Sequence, residues 1–378
     1  MKAENKKRKI LFYTPVALTS GGGCERWHCD ITNSLEEQFG DNVEIVSGNH
    51  GEKRWSEEYL KQQLHGIVYK QLNYPIFLGV LIPTPFIVFF LLKKFRQADV
   101  VYFINGFMGQ DILMVFLKLI TGKKIVAGYH APIFYASKIH NLYMRFVSRY
   151  LMNFFDYQQT LNNTDKIFLE KKWGIRNVHF IPIGIHVEKF IKTKKIKHRG
   201  LTFISVGRYV LQKGFDLQLQ AIEVFNKRHK NNQVLFYFIG SGSLKSLIQR
   251  YAKKYKNIID VGYVDYDNIR NYYAKSDVYL LTSREEPFGL VLIEAWGLGL
   301  PVLGTKTEGP RDMLEENRNG WFIPRVTAED IYNSIAILYK KYMKNQTYFV
   351  QFEKKCRETS KLFSIDLTAQ KMKKAFFD

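Results

Sequence analysis

Short apolar runs, each followed by a turn and then a stretch of helical periodicity, recur along the first half of this chain. The strand candidates are KILFYTP, NVEIVSG, DVVYFING and KKIVAGYH, and helical patterns separate them. That alternation predicts a parallel sheet built from strand–helix–strand units. A polar, basic stretch, KTKKIKHRG at residues 192–200, lacks apolar periodicity and reads as a linker. A second series follows it: strand LTFISVGR, helix LQLQAIEVFNKRH, strand VLFYFIGSG, helix SLIQRYAKKY, strand IIDVGYV, and strand DVYLLTS leading into an apolar helix. The expected fold is therefore α/β, with two doubly wound, Rossmann-like domains and a cleft between them. Their expected bounds are 1–191 and 201–360, with 361–378 a C-terminal helix that packs back on the N-terminal domain. No internal repeat or low-complexity tract interrupts the pattern.

Two segments depart from this rhythm. Residues 74–92, YPIFLGVLIPTPFIVFFLL, carry no charge over nearly a bilayer's thickness. Pro75, Pro83 and Pro85 break the first part, so the segment predicts only a short apolar helix from about Phe86, buried in a core or laid on an interface. Residues 134–159, FYASKIHNLYMRFVSRYLMNFFDYQQ, mix Lys138, Arg145 and Arg149 with aromatic and aliphatic side chains. They read as an amphipathic interfacial helix; the plainer alternative is a core helix with a solvated basic edge.

Composition narrows the picture. The chain has 378 residues, 46% of them hydrophobic, which is ample for two cores. Its 56 basic and 35 acidic residues give a formal net charge of +21, with lysine-rich runs at 6–9 and 253–256. Such a surface calls for an anionic partner, and the accompanying apolar segments favour a membrane surface over nucleic acid. Cys24, Cys29 and Cys356 are too few and too scattered for a disulfide framework or a four-cysteine zinc site. The basic N-terminus leads straight into a strand rather than into a signal-peptide core. The expected location is the cytoplasm, peripheral at the inner face of the membrane.

Candidate chemistry concentrates at 283–310, SREEPFGLVLIEAWGLGLPVLGTKTEGP, where Glu286 and Glu294 stand with seven residues between them. The pattern is a strand end, a turn at Pro287 and Gly289, and a helix whose N-terminal amides suit a diphosphate. Glu286 falls in the loop and Glu294 about a turn inside the helix, so the two acids can hold opposite ends of one ligand. Strand LTFISVG ends at Gly207 and Arg208, with Lys213 and Gly214 just beyond. Guanidinium and ammonium at such an edge suit a diphosphate leaving group; solvated charges on an ordinary connection are the bland alternative. The first strand leads into Gly21-Gly22-Gly23 with Glu25 close behind, a phosphate- or sugar-approach loop that lacks both the Walker lysine and the GxGxxG spacing. His130 lies just past a strand end and is a cleft candidate. Asp265-Tyr266-Asp267 has the form of a metal-binding DxD but reads as a helix start.

Taken together, GGGCE, GYHAP, IPIGI, SVGRYVLQKGFD, FIGSGSL, VGYVDYDNI and EEPFGLVLIEAWGLGLPVLGT make the chain resemble a family-4 type retaining glycosyltransferase of the GT-B fold, with its Glu-x7-Glu motif. The resemblance covers almost the whole chain. It implies that Arg208 and Lys213 contact the donor diphosphate, that Glu294 holds the ribose hydroxyls, and that Glu286 lies near the transferred sugar. It further implies sugar contact by His130, approach of the Phe288, Gly289, Leu290 and Val291 amides to phosphate and sugar, and closure of Gly22 and Gly23 over the phosphates. Gly207 borders the same site, and Tyr263 falls where the backbone borders the nucleobase. Transfer with retention, without a metal or other cofactor, to a lipid-linked or nascent cell-surface glycan is the activity implied.

Departures from the family pattern are Ile183 and His186, where Asn and Asp are usual, and Glu308, where a first glycine is common. Rival functions are a same-fold transferase with a soluble acceptor, a sugar-nucleotide epimerase, a glycogen-type phosphorylase, and a basic nucleic-acid-binding protein. The last leaves the paired glutamates idle, and the phosphorylase needs a cofactor lysine that no segment supplies.

Overall fold

The computed structural model describes residues 7–77, 80–130, 133, 137–196, 198–230 and 233–377. Ala131 and Pro132 after His130, the start of the 134–159 segment, and parts of the 6–9, 74–92 and 192–200 stretches lie outside them. The chain divides into two compact units. One comprises residues up to Gly184 together with those from Ile365 onward; the other runs from Ile185 to Ser364.

The first unit is built on strands β1 (Lys9–Val16), β2 (Asn42–His50), β3 (Val68–Gln71), β6 (Val100–Asn105), β7 (Lys124–Tyr129), β8 (Tyr157–Thr160) and β9 (Val178–Phe180), with a small antiparallel pair, β4 (Ile76–Phe77) and β5 (Val80–Leu81), set apart. Its sheet order is β3-β2-β1-β6-β7-β8-β9, parallel throughout. The second unit has β10 (Leu201–Val206), β11 (Val234–Ile239), β12 (Ile258–Gly262), β13 (Val278–Leu281), β14 (Val302–Thr305) and β15 (Gly320–Ile323), in the order β12-β11-β10-β13-β14-β15, again all parallel. In each sheet the order reverses direction once, between β1 and β6 and between β10 and β13. Ligands of doubly wound sheets bind outside the carboxyl ends of strands at such a reversal.

Parallel strands are covered on both faces, which is why the β6 and β13 sequences are apolar and wholly buried. Strand β8, YQQT, breaks that rule and is invisible to an apolar pattern. It is buried nonetheless, because its amides are answered internally. Gln158 accepts from the Tyr129 hydroxyl at 2.8 Å and donates to Met152 O at 2.9 Å.

The division between units falls away from the basic stretch expected to be a linker. Helix Val187–Ile191 belongs to the second unit, where Phe190 packs edge-on to Tyr266 and Tyr273 and fills the space left by Gly297. Beyond it, Lys195 pairs with Glu353 at 2.8 Å and Ile196 N donates to Ala274 O at 2.8 Å. The chain re-enters the first unit between Ser364 and Ile365, not at residue 361. Helix Ile365–Phe377 packs on helix Gly23–Phe39, with Ser34 Oγ donating to Asp366 at 3.0 Å and Phe376 lying against Phe12 and Tyr102.

The apolar 74–92 segment resolves into the β4–β5 pair and helix Pro85–Gln97, started by Pro85 and capped by the Thr84 hydroxyl. Among the described residues, no helix is long and apolar enough to cross a membrane.

Candidate active site

In the second unit, the end of β10 is fixed by its neighbours. Tyr209 is buried; its hydroxyl donates to Asp260 at 3.0 Å and its backbone N–H to Ser241 O at 2.8 Å. Its predecessor Arg208 is thereby held at the strand end with its side chain exposed, and among the described residues it has no ion-pair partner. After the turn Leu211–Lys213, Gly214 takes φ +70°, and a Cβ there would stand 1.9 Å from Thr282 O. Only glycine lets the Lys213 turn close on the end of β13.

Across that contact lies Glu286. Lys213 Nζ is 2.6 Å from its Oε2, and Ser283 Oγ donates to the same oxygen at 3.2 Å. The backbone is held as well, since Gly309 N–H donates to Glu286 O at 2.9 Å. Alongside, Arg284 forks onto Asp216 at 2.8 and 2.7 Å, and that bonding draws the Asp216 carboxyl below its usual range.

Gly289, at φ +100°, caps helix Leu290–Gly297. Leu292 N–H turns back to Gly289 O at 2.9 Å, while the Leu290 and Val291 amides precede the helical ladder and, with the dipole, offer a site for negative charge. The Phe288 ring is buried and packs toward Phe363 at 6.0 Å, so Phe288 can address a ligand through its backbone alone. Leu290 and Val291 are half-buried. Glu294 sits in the helix interior, buried, accepting from the Tyr273 hydroxyl at 2.8 Å. Tyr263, just after β12, is 54% exposed. Arg208, Lys213, Glu286 and the start of the Glu294 helix thus gather at the β10–β13 reversal. Tyr209, Tyr273 and Ser283, which hold them, were not foreseen; the aromatic residue directly after Arg208 was the only local signal.

Asp265 occupies the position before helix Tyr266–Tyr273, but its side chain makes no capping bond. Among the described residues, no group of three or more His, Cys, Asp or Glu is placed to hold a metal ion.

In the first unit, Gly22 precedes helix Gly23–Phe39 and its N–H donates to Glu25 Oε2 at 2.8 Å. Glu25 is thus used, at least in part, in closing the helix start. His130, beyond β7, is engaged at both ring nitrogens: Nε2 lies 2.7 Å from the Tyr102 hydroxyl, and Nδ1 lies 3.6 Å from Cys24 Sγ. Trp27 packs on the ring at 4.5 Å. Burial, with His28 adding to it, pushes the His130 pKa well down, and burial lifts the Cys24 thiol well up. Both are therefore neutral near pH 7.

Their bonding sets the tautomer. Gln159 Nε2 donates to Ile181 O at 2.8 Å, which turns its Oε1 toward Tyr102, and the Tyr102 hydroxyl proton goes there at 2.7 Å. The hydroxyl oxygen then accepts from His130 Nε2–H, leaving Nδ1 as an acceptor beside the Cys24 thiol.

Comparison with known proteins bears on these arrangements. Residues 186–358 match the family model of the glycosyl transferases group 1. An uncharacterized glycosyltransferase of Haemophilus influenzae is 24% identical over 97% of this chain and 99% of its own length. The lipopolysaccharide core biosynthesis glycosyltransferase LpsE of Rhizobium meliloti is 28% identical over 35% of this chain and 37% of its own length. Among solved structures, Anabaena HepE in complex with UDP and glucose superposes with a TM-score of 0.75 at 17% identity, covering 97% of this chain and 99% of that one. The fold is GT-B.

Proposed function

We propose that this glycosyltransferase is a retaining enzyme that moves a hexose or N-acetylhexosamine from a nucleoside-diphosphate sugar to a lipid-linked or nascent cell-surface glycan. What supports the reading most is the cluster at the β10–β13 reversal: exposed Arg208, the Lys213–Glu286 pair and the Gly289 helix start. The likeness to HepE, solved with UDP and glucose, and to LpsE, a lipopolysaccharide core enzyme by name, points the same way.

In this reading the diphosphate lies against Arg208 and the amides after Phe288, and Lys213 turns partly from Glu286 to the leaving phosphate. Glu294, steadied by Tyr273, holds the ribose. The bond between the anomeric carbon and the β-phosphate oxygen breaks as the acceptor oxygen bonds to the same face, and the acceptor's proton passes to that phosphate oxygen. The demand on the protein is electrostatic stabilisation of the departing diphosphate, so no metal and no carboxylate nucleophile is needed. The part assigned to Gly22, Gly23 and His130 follows the family resemblance. His130 Nδ1 is the atom able to accept from a sugar hydroxyl, since Cys24 Sγ–H is a weak donor and easily exchanged.

The experiment is to incubate the protein with a panel of UDP- and GDP-sugars and a short glycan acceptor, then read the product anomer by proton NMR. An α-linked product from an α-linked donor supports the reading; an inverted product, or a product formed without a nucleotide-sugar, contradicts it.

A further inference from the structure

Exposed apolar side chains are not spread evenly over this protein. Of the 25 large ones exposed among the described residues, 15 fall between Ile76 and Phe154, all in the first unit. They stand on the β4–β5 pair, at Ile82 just after it, and on three helical segments. On helix Pro85–Gln97, Phe86 and Phe89 are 73% and 70% exposed, and the same face continues at i+7 and i+10 with exposed Lys93 and Arg96. On helix Gln110–Thr121, Ile112, Phe116 and Leu119 form an outward stripe although the opposite face is core. The third segment is a continuous helical path from Lys138 to Phe154, with a π-helical turn at Met144–Ser148. It exposes Ile139, Leu142, Phe146 and Tyr150 beside Lys138 and Arg145.

These segments are neighbours. Helix Pro85–Gln97 packs beside helix Gln110–Thr121, which in turn contacts Arg149–Leu151. The β4–β5 pair is tied in through Gln110 Nε2, which donates to Leu81 O at 3.3 Å. Tyr143 accepts from Gly109 N–H at 3.1 Å and donates to Asp111, joining the third segment to the second. The exposed apolar side chains thus cluster on neighbouring elements instead of standing singly over the surface.

Charge identifies what covers it. From Tyr59 to Phe155 the chain carries eleven lysines and arginines against two acids, Asp99 and Asp111. Asp111 is buried and bonded to Tyr143, and Lys94 and Lys118 are matched by Glu44 and Asp156, so the basic rim is carried by exposed Lys93, Arg96, Lys138 and Arg145. A second copy of the chain would bring like charge against like charge across a symmetric contact. An anionic bilayer answers both features at once: aromatic and aliphatic side chains enter the headgroup boundary while Lys93, Arg96, Lys138 and Arg145 reach lipid phosphates.

We infer that the face formed by the β4–β5 pair, helices Pro85–Gln97 and Gln110–Thr121, and the Lys138–Phe154 segment is a docking surface for an anionic lipid bilayer. It stands on the first unit alone and does not need the donor reading; membrane binding and sugar transfer fail separately.

The test is vesicle flotation of the full chain with phosphatidylcholine vesicles and with vesicles of equal parts phosphatidylcholine and phosphatidylglycerol. Two variants accompany the wild type: Phe86→Ser/Phe89→Ser/Phe146→Ser, and Lys138→Glu/Arg145→Glu. All replaced side chains are exposed, and an unchanged melting temperature verifies folding. The wild type floats with the anionic vesicles and not with the neutral ones, added salt weakens binding, and each variant binds more than about tenfold less. No flotation with anionic vesicles overturns the inference, as does equal flotation of wild type and both variants. Self-association of the wild type that the serine variant abolishes, without lipid binding, overturns it in favour of a second copy.

Discussion

The Lys213 ammonium and the Glu286 carboxylate, 73 residues apart in sequence, meet at 2.6 Å on side chains only 20% and 8% exposed. The pair links the turn after β10 to the loop after β13, so it holds the reversal point together before any ligand arrives. Lys213→Met leaves the buried carboxylate facing an apolar chain and lowers stability by about 3 kcal/mol. Glu286→Gln keeps the shape and the Ser283 bond and costs about 1 kcal/mol. Urea unfolding of both single variants and the double variant checks this, and the double variant loses less than the sum.

Glu294 is read as the ribose contact, with Tyr273 as its support. Glu294→Ala raises the KM for the nucleotide-sugar by about 10- to 100-fold, the loss of one or two hydrogen bonds to a charged group. Tyr273→Phe raises it less, because the carboxylate remains. Arg208→Ala acts mainly on kcat, since negative charge on the phosphate grows as the bond breaks. Steady-state kinetics separates the two patterns.

The Tyr102–His130 bond predicts a positioning effect. Tyr102→Phe removes the acceptor for Nε2–H and lets the ring change tautomer and orientation, so kcat falls about tenfold while the fold is kept. Gln159→Leu acts in the same direction through Tyr102. The structural check is the His130 ring 15N shift, which moves from the Nε2–H pattern toward a mixture in Tyr102→Phe.

His28 gives a pH dependence. Burial pushes its pKa down from 6.5 to about 4, and its Nδ1 lies 2.8 Å from Cys24 O. The unfolded chain therefore binds this proton first. Stability from the neutral side chain is fully present above about pH 6.5 and is lost as pH falls toward 4, by about 3 kcal/mol at most. Unfolding of His28→Phe across that window shows a flatter pH profile than the wild type.

Gly309 approaches the loop so closely that a Cβ would stand 2.1 Å from Phe288 O. Gly309→Ala therefore displaces the Glu286–Gly289 loop and costs more than about 2 kcal/mol, with donor affinity falling alongside. Thermal unfolding with and without nucleotide checks both effects.

The sheets were largely legible in the sequence because their central strands are apolar runs ending in glycine or charge. Strand β8 was not, since Gln158 and Gln159 are buried with internal partners that lie elsewhere in the chain. The unit boundary escaped for a similar reason. Basic residues at 192–200 look like a tether, yet Phe190 against Gly297 and Lys195 against Glu353 bind that stretch into the second unit. At the candidate site the residue types were readable one by one: Arg208 and Lys213 follow β10, Glu286 lies in the loop after β13, and Glu294 stands a turn inside the helix beyond it. Their partners were not. The Cys24–His130–Tyr102–Gln159 chain draws on four separate segments, and no local periodicity encodes such a meeting.

The most direct test of the donor site is calorimetric titration of UDP and GDP into the wild type, Arg208→Ala and Glu294→Ala. One of the two nucleotides binds the wild type, and each substitution weakens that binding by about tenfold or more, Arg208→Ala because the free diphosphate carries the charge that the intact donor develops only as its bond breaks. Equal affinity in all three proteins, or no binding of either nucleotide to the wild type, contradicts a donor site at the β10–β13 reversal.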